Sequence, residues 1–233
     1  MTASKLEIAL EKLASRKVRL WEHSTPGEVR QKFEKTKPCL TISKETGCYG
    51  LELAKRLATR LGWRFYDREL VDHIAANANV RREMVEAFDE QTQNEIHNWV
   101  LTLIDRYALG TDKYFKHLVL TLTAIANRGN AVILGRGGNF ILGPQAALRI
   151  HLTAPVQTRI SRLMRERALS KLEATRMVHD LDKKRAAFLQ RFYHRDGRDA
   201  IFYDLVLNAE TMSLSQAEEI ILQSLKIDFP EPD

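Results

Sequence analysis

Residues Cys39–Leu61, CLTISKETGCYGLELAKRLATRL, constrain the fold of this chain more than any other stretch. The apolar run Leu40–Ile42 reads as a strand and enters a short Gly-containing turn. The turn opens directly into an amphipathic helix, with Leu53, Ala54, Leu57, Ala58 and Leu61 at helical spacing. In a strand–loop–helix of this kind, backbone N–H groups and the helix N-terminus cradle an anion, which predicts a phosphate-binding loop. The sequence G-x-x-x-x-G-K-S/T that usually fills such a loop is absent. Laid over it without gaps, Lys44 takes the first Gly and Tyr49 the second. Gly50 then stands at the Lys and Leu51 at the Ser/Thr.

The rest of the chain extends the pattern. Trp63–Asp67 (WRFYD) has strand propensity, and Ala131–Leu134 is wholly apolar, as buried parallel strands are. Leu148–Leu152 and Leu205–Asn208 are two further short strands. Between them lie helical periodicities. Arg68–Leu109 holds several, the clearest through Ile96, Val100, Leu103, Ile104 and Tyr107, and Tyr114–Ala126 holds another. Ser170-Lys171-Leu172-Glu173 is a capping box that starts a helix running to about Phe192, and Ser213 with Gln216 makes a second one for a terminal helix. Strands alternating with helices predict an α/β fold whose parallel sheet is covered on both faces. Ligands of such sheets bind beyond the carboxyl ends of the strands. Lys44–Glu52, Asp67–Arg68, Gly135–Gly138 and the Thr153 turn all fall at those ends.

Composition narrows the ligand. The 233 residues carry a net charge of +6, which suits an anionic partner. The sequence shows no zinc-finger, RNP or helix-turn-helix signature, and acids interrupt the basic residues along most of the expected helices. A small phosphorylated ligand held by converging arginines is therefore favoured over nucleic acid. Two cysteines cannot make a disulfide framework or a four-Cys zinc site. No apolar run approaches the ~20 residues of a membrane span, and the N-terminus has no continuous apolar h-region. The expectation is a cytoplasmic protein that does not engage membranes. The seven histidines show no metal-binding spacing, so no resident metal ligand is assigned.

Three motifs in order carry a resemblance: TISKETGCYGLELAKRLATRLGWRFYDREL, VILGRGGNFIL and LDKKRAAFLQRFY. Between about Leu40 and Leu225 the chain resembles the cytidylate kinase-like branch of the P-loop nucleoside monophosphate kinases. The resemblance implies a P-loop three-layer fold with a parallel sheet of about five strands. It implies a domain over 38–233 with a helical nucleoside-monophosphate-binding insertion at 68–128 and a basic lid at 159–198. Residues 1–37 stand outside it and are expected to form an N-terminal helical extension. The implied reaction is phosphoryl transfer from ATP, with Mg²⁺, to CMP or dCMP, so the partners are nucleotides.

The resemblance also distributes roles. The branch commonly shows R/K-E-x-G-x-x-G-x-E, which Lys44, Glu45, Gly47, Gly50 and Glu52 match. The donor-binding loop would then be Lys44, Glu45, Thr46, Gly47, Cys48, Tyr49, Gly50, Leu51 and Glu52. Lys44 replaces the missing loop lysine, while Leu51 has no oxygen to offer a metal. Arg136 would hold the acceptor, its alternative being a surface arginine on a glycine turn. Related kinases have Asp directly after that arginine, where this chain has Gly137. Asp182 and Arg185, on one helical face, would work near the acceptor or form a solvated pair. Arg159 and Arg162 would be the lid arginines, with Arg165 and Arg167 as substitutes. Asp67 and Arg68 would meet the acceptor, or Arg68 and Glu69 would cap the next helix. Cys48 is either an activated thiol or a small space-filler. Two further functions stay open: a catalytically inactive nucleotide-binding module, and a kinase for another small acceptor.

Overall fold

Strand β1 (Cys39–Lys44) occupies the middle of a five-stranded parallel sheet in the order β2-β3-β1-β4-β5. Its neighbours are β3 (Ala131–Leu134) and β4 (Ala147–Thr153), and β2 (Arg64–Tyr66) and β5 (Leu205–Asn208) form the edges. The computed structural model describes residues 38–106 and 112–229. The expected N-terminal extension, 1–37, lies outside the described residues.

The sheet is covered on both faces because alternate residues along β1 serve two cores. Leu40 and Ile42 point to one face with Val132, Leu148 and Ile150. They pack against Leu53 and Leu57 of α1 (Gly50–Leu61) and Ala217 and Ile221 of α9 (Leu214–Asp228). Cys39, Ile133 and Ala147 point to the other face. There they meet Phe115, Leu118 and Leu122 of α5 (Lys113–Arg128), and Leu189, Phe192 and Tyr193 of α8 (Lys171–Tyr193). Each fully buried Leu contributes about 1.5–3 kcal/mol, and Leu40, Leu53, Leu57, Leu118 and Leu122 are all fully buried. On the first face Glu218 of α9 is also pinned to α1, 2.6 Å from Arg56.

Between β2 and α5 the chain runs through α2 (Arg68–Ala76), α3 (Ala78–Glu86) and α4 (Glu90–Arg106). A four-residue helix, α6 (Gly138–Ile141), follows β3, and α7 (Val156–Arg167) follows β4. Both expected capping boxes are present, at Ser170/Glu173 and Ser213/Gln216. No helix among the described residues is long and apolar enough to cross a membrane.

One buried group makes the fold acid-sensitive. His151 of β4 is 4% exposed and stacks on Tyr203 with ring centroids 4.8 Å apart. Burial pushes its pKa from 6.5 down to about 4, and the nearby Arg185 adds to this against Glu45 and Asp196. The folded protein therefore holds the ring neutral. Below pH 6.5 the unfolded chain takes up the proton first, so the stabilisation is whole above pH 6.5 and is lost as the pH falls towards about 4. That interval is worth about 3 kcal/mol. Urea midpoints of His151→Phe between pH 4 and 7 are expected to fall less steeply with acid than those of the wild type. Parallel curves would show that the ring is solvated.

Candidate functional site

The loop between β1 and α1 is built by buried charge as much as by glycine. Glu45, directly after β1, is 8% exposed. Its Oε2 accepts hydrogen bonds from Thr153 Oγ1 (2.9 Å) and from the Ala154 N–H (3.3 Å). This ties the loop to the end of β4. Arg159 of α7, 6% exposed, lies beneath the loop. Its Nε donates to the Ala154 carbonyl (3.0 Å), and its Nη1 donates to the Thr46 carbonyl (3.2 Å) and to Asp182 Oδ2 (2.6 Å). Asp182, from the middle of α8, accepts from the Thr46 N–H at 3.1 Å and pairs with Arg185 at 3.0 Å. Burial raises the Asp182 pKa, but Arg185, Thr46 and Arg159 outweigh it and hold the carboxyl below the usual range.

Arg162 closes the outer side of the loop. Its Nη1 donates to the Gly47 carbonyl (2.9 Å) and its Nη2 to the Ala209 carbonyl (2.8 Å). The guanidinium lies 4.9 Å from the Tyr49 ring centroid, and the Tyr49 hydroxyl donates to the Met212 carbonyl (2.9 Å). Arg159 and Arg162 thus direct their hydrogen bonds to the backbone and to Asp182. Tyr49 itself sits in the left-handed region (φ 31°) and caps α1 without a side-chain hydrogen bond to the helix. No side chain covers the first-turn N–H groups of α1 as a cap, which is the usual setting for an anion at a helix start.

Lys44 crosses this helix start from the strand side. A Cβ added to Gly50 would lie 2.4 Å from Lys44 Cδ, so the lysine stem occupies the space that a side chain at 50 would need. Burial lowers the Lys44 ammonium below its ordinary pKa, and Arg185 lowers it further. The ammonium has no hydrogen bond or ion pair among the described residues. Cys48 is buried, and burial, then Glu45, pushes its thiol up to about 11. The structure therefore matches the space-filling alternative and gives no activated thiol.

A second cluster forms at the end of β3. Gly135, Arg136 and Gly137 all have positive φ (85°, 53° and 66°). Arg136 Nη2 pairs with Asp72 Oδ2 of α2, whose Oδ1 accepts from Tyr114 Oη at 2.8 Å. The Arg136 guanidinium lies 4.7 Å from the Phe188 ring centroid, and the Arg136 carbonyl accepts from Tyr193 Oη at 2.7 Å. Gly137 is a matter of space as well as dihedral, since a Cβ there would lie 2.3 Å from the Tyr193 ring.

Asp67 and Arg68 stand apart from both clusters. Asp67 is the N-cap of α2, accepting from the Leu70 N–H at 2.8 Å. Arg68 is 61% exposed and lies 4.0 Å from Glu69. Leu51 and Glu52 are exposed on α1. Asp72 and Tyr114 lie in none of the three motifs, and Phe188 falls within LDKKRAAFLQRFY but is given no role there. The sequence signal for Asp72 is slight: an acid directly after buried Val71, on a helix that also carries Arg68, Glu69 and His73. The described residues hold no group of three or more His, Cys, Asp or Glu able to bind a metal ion.

Comparison with known proteins agrees with this architecture. The model of the cytidylate kinase-like family matches residues 39–211. A cytidylate kinase of Ignicoccus hospitalis is 26% identical over 191 residues, covering 80% of this chain and 98% of that enzyme. A uronate isomerase of Corynebacterium glutamicum is 32% identical over 111 residues. The match takes in 47% of this chain but only 21% of that protein, so the chain spans about a fifth of its length. An uncharacterised protein of Eubacterium ventriosum has the same fold, with TM-score 0.63 and 21% identity, the match covering 82% of this chain and 99% of that one. The five-stranded parallel sheet, the loop that springs from its central strand and the family match over most of the chain lead to one assignment: the chain belongs to the cytidylate kinase-like family.

Proposed function

We propose that the protein transfers the γ-phosphoryl group of Mg–ATP to a nucleoside monophosphate, with CMP or dCMP as the favoured acceptor. The observation that carries this reading is the course of Lys44. Its stem lies against Gly50, the position of the lysine in a standard loop, so an ammonium reaches the same helix start from the strand instead. Phosphoryl transfer needs positioned positive charge more than covalent chemistry. In this reading a phosphate oxygen of the acceptor attacks the γ-phosphorus, the bond from that phosphorus to the β,γ-bridging oxygen breaks, and ADP leaves. Lys44 and the α1 N-terminus hold the donor phosphates, while Arg185 adds charge beside them. Arg136 serves the acceptor. The helices after β2 (68–128) act as the acceptor-binding insertion and 159–198 as the lid, whose Arg159, Arg162 and Asp182 fix the loop from below and outside. Residues 1–37 are an extension to the domain at 38–233, and a cytoplasmic location fits these substrates.

ADP formation from Mg–ATP, measured with CMP, dCMP, UMP, AMP, GMP and no acceptor, tests this. Acceptor-dependent turnover is expected. Lys44→Ala is expected to lower kcat by about 10²–10³, the usual effect of losing one donor to developing charge. Arg136→Ala is expected to act mainly on the KM of the acceptor. The second reading, an inactive nucleotide-binding module, is favoured by Leu51, which offers a metal no oxygen. It predicts calorimetric binding of ATP without turnover.

A further inference from the structure

Asp72 and Arg136 are 64 positions apart, yet α2 and the β3 turn bring them into direct contact. Arg136 has five N–H donors. Nη2 is paired with Asp72, but Nε is buried and has no hydrogen-bond partner among the described residues. A buried unpaired donor is costly. The residue also holds a left-handed backbone (φ 53°), a kind of strain that collects at ligand sites. Phe188 covers one face of the guanidinium. Each carboxylate oxygen of Asp72 accepts one hydrogen bond, from Tyr114 or Arg136, and keeps a free lone pair. Both side chains are partly open to solvent, at 18% for Arg136 and 31% for Asp72.

The cluster thus presents donors beside an acceptor, in roughly one group. A second phosphate suits it poorly, because Asp72 would repel it. Its complement is a neutral planar edge with an acceptor next to an amino group. The geometry points to Asp72 as the specificity-determining residue of the acceptor site: it takes a hydrogen bond from the amino group of an aminopyrimidine, while Arg136 donates to the adjacent ring nitrogen or carbonyl. This assignment rests on the acceptor reading above. An oxo group in place of the amino group would turn lone pairs towards the carboxylate and be rejected. Asp72 therefore takes on the discrimination that no side chain at Gly137 can supply.

The test is the ratio of kcat/KM for CMP over UMP, in the wild type, Asp72→Asn and Tyr114→Phe. Asparagine keeps the volume and an acceptor for Tyr114, but it also offers an N–H that accommodates the oxo group. The ratio is expected to fall roughly 10–100-fold in Asp72→Asn, the range in which unpaired polar groups discriminate substrates. In Tyr114→Phe, which loosens the carboxylate, it is expected to fall several-fold. Equal losses for CMP and UMP in both variants would mean that Asp72 is structural and would overturn the assignment. Should Asp72→Asn not fold, an unchanged ratio in Tyr114→Phe overturns it alone. Wild-type protein that neither turns over nor binds either monophosphate by calorimetry overturns the acceptor reading itself, and this assignment with it.

Discussion

Arg159→Met is expected to cost about 3 kcal/mol, the lower end of the loss seen when one partner of a buried ion pair is removed. Arg159 is 6% exposed and bonds the Ala154 and Thr46 carbonyls and Asp182, with Glu45 3.5 Å away. Methionine fills the volume but leaves two carbonyls and the Glu45 carboxylate without their cation. The value sits at the low end because Asp182 is 23% exposed and keeps Arg185. A urea titration at pH 7 should show a lower midpoint with an unchanged slope. The sign of the pH dependence follows from Asp182, whose folded pKa is depressed. Its stabilisation is present above the ordinary carboxylate range and lost as the pH falls through the folded value. The gap between wild type and variant should therefore narrow in strong acid. Arg159→Lys should not rescue, since an ammonium cannot span this planar set of acceptors. A loss below about 1 kcal/mol at neutral pH would mean that the network is solvated and contributes little.

Gly137→Ala is the second large effect, expected to destabilise by about 2–5 kcal/mol. A left-handed backbone costs a non-glycine residue about 1–2 kcal/mol. Forcing a methyl group into a filled core adds about 1–3 kcal/mol. The new carbon would meet the Tyr193 ring, which is 1% exposed, packs on Phe115 and Phe140, and bonds the Arg136 carbonyl. The ring has nowhere to move. Thermal unfolding of Gly137→Ala, Tyr193→Leu and the double variant checks this. The two changes should be strongly non-additive, because shortening Tyr193 makes room for the methyl. Additive losses would assign the cost to the backbone alone. The same contact explains why a carboxylate cannot stand after Arg136 in this chain.

The elements were largely legible in the sequence, because hydrophobic period and capping chemistry are local. Ala131–Leu134 and Leu205–Asn208 form strands over the expected residues. The long helix begins after Ser170 and runs to Tyr193, one residue beyond its expected end. The region after β2 reads as several helices in sequence, and the structure places three there among the described residues. Side-chain partnerships were not legible. Asp182 reaches the Thr46 amide across 136 positions, and Asp72 reaches Arg136 across 64. Such pairs depend on how each helix is rotated about its axis, and rotation is set by packing rather than by spacing. Charge on a helix face says that a residue is polar; it does not say which strand end it will meet. That is why LDKKR read equally well as a solvated run.

The sheet order has a metrical consequence. Ile42 of β1 lies opposite Leu134 of β3, and Lys44 and Arg136 each follow two residues later. The ladder ends at the Ile42–Leu134 pair: Lys44 is the last residue of β1, whereas Arg136 lies beyond β3 in a left-handed turn. The last paired rung thus sets the two stations from which these segments depart, with a strand separation of about 4.8 Å. The hydrogen-bonded ladder acts as a gauge for those departure points, because backbone pitch sets their spacing. A slip of one residue in this pairing would turn every side chain of β1 to the opposite face and offset the stations along the strands. Natural variation can then reshape the helices around the rim while the points at which the two segments leave the sheet stay fixed.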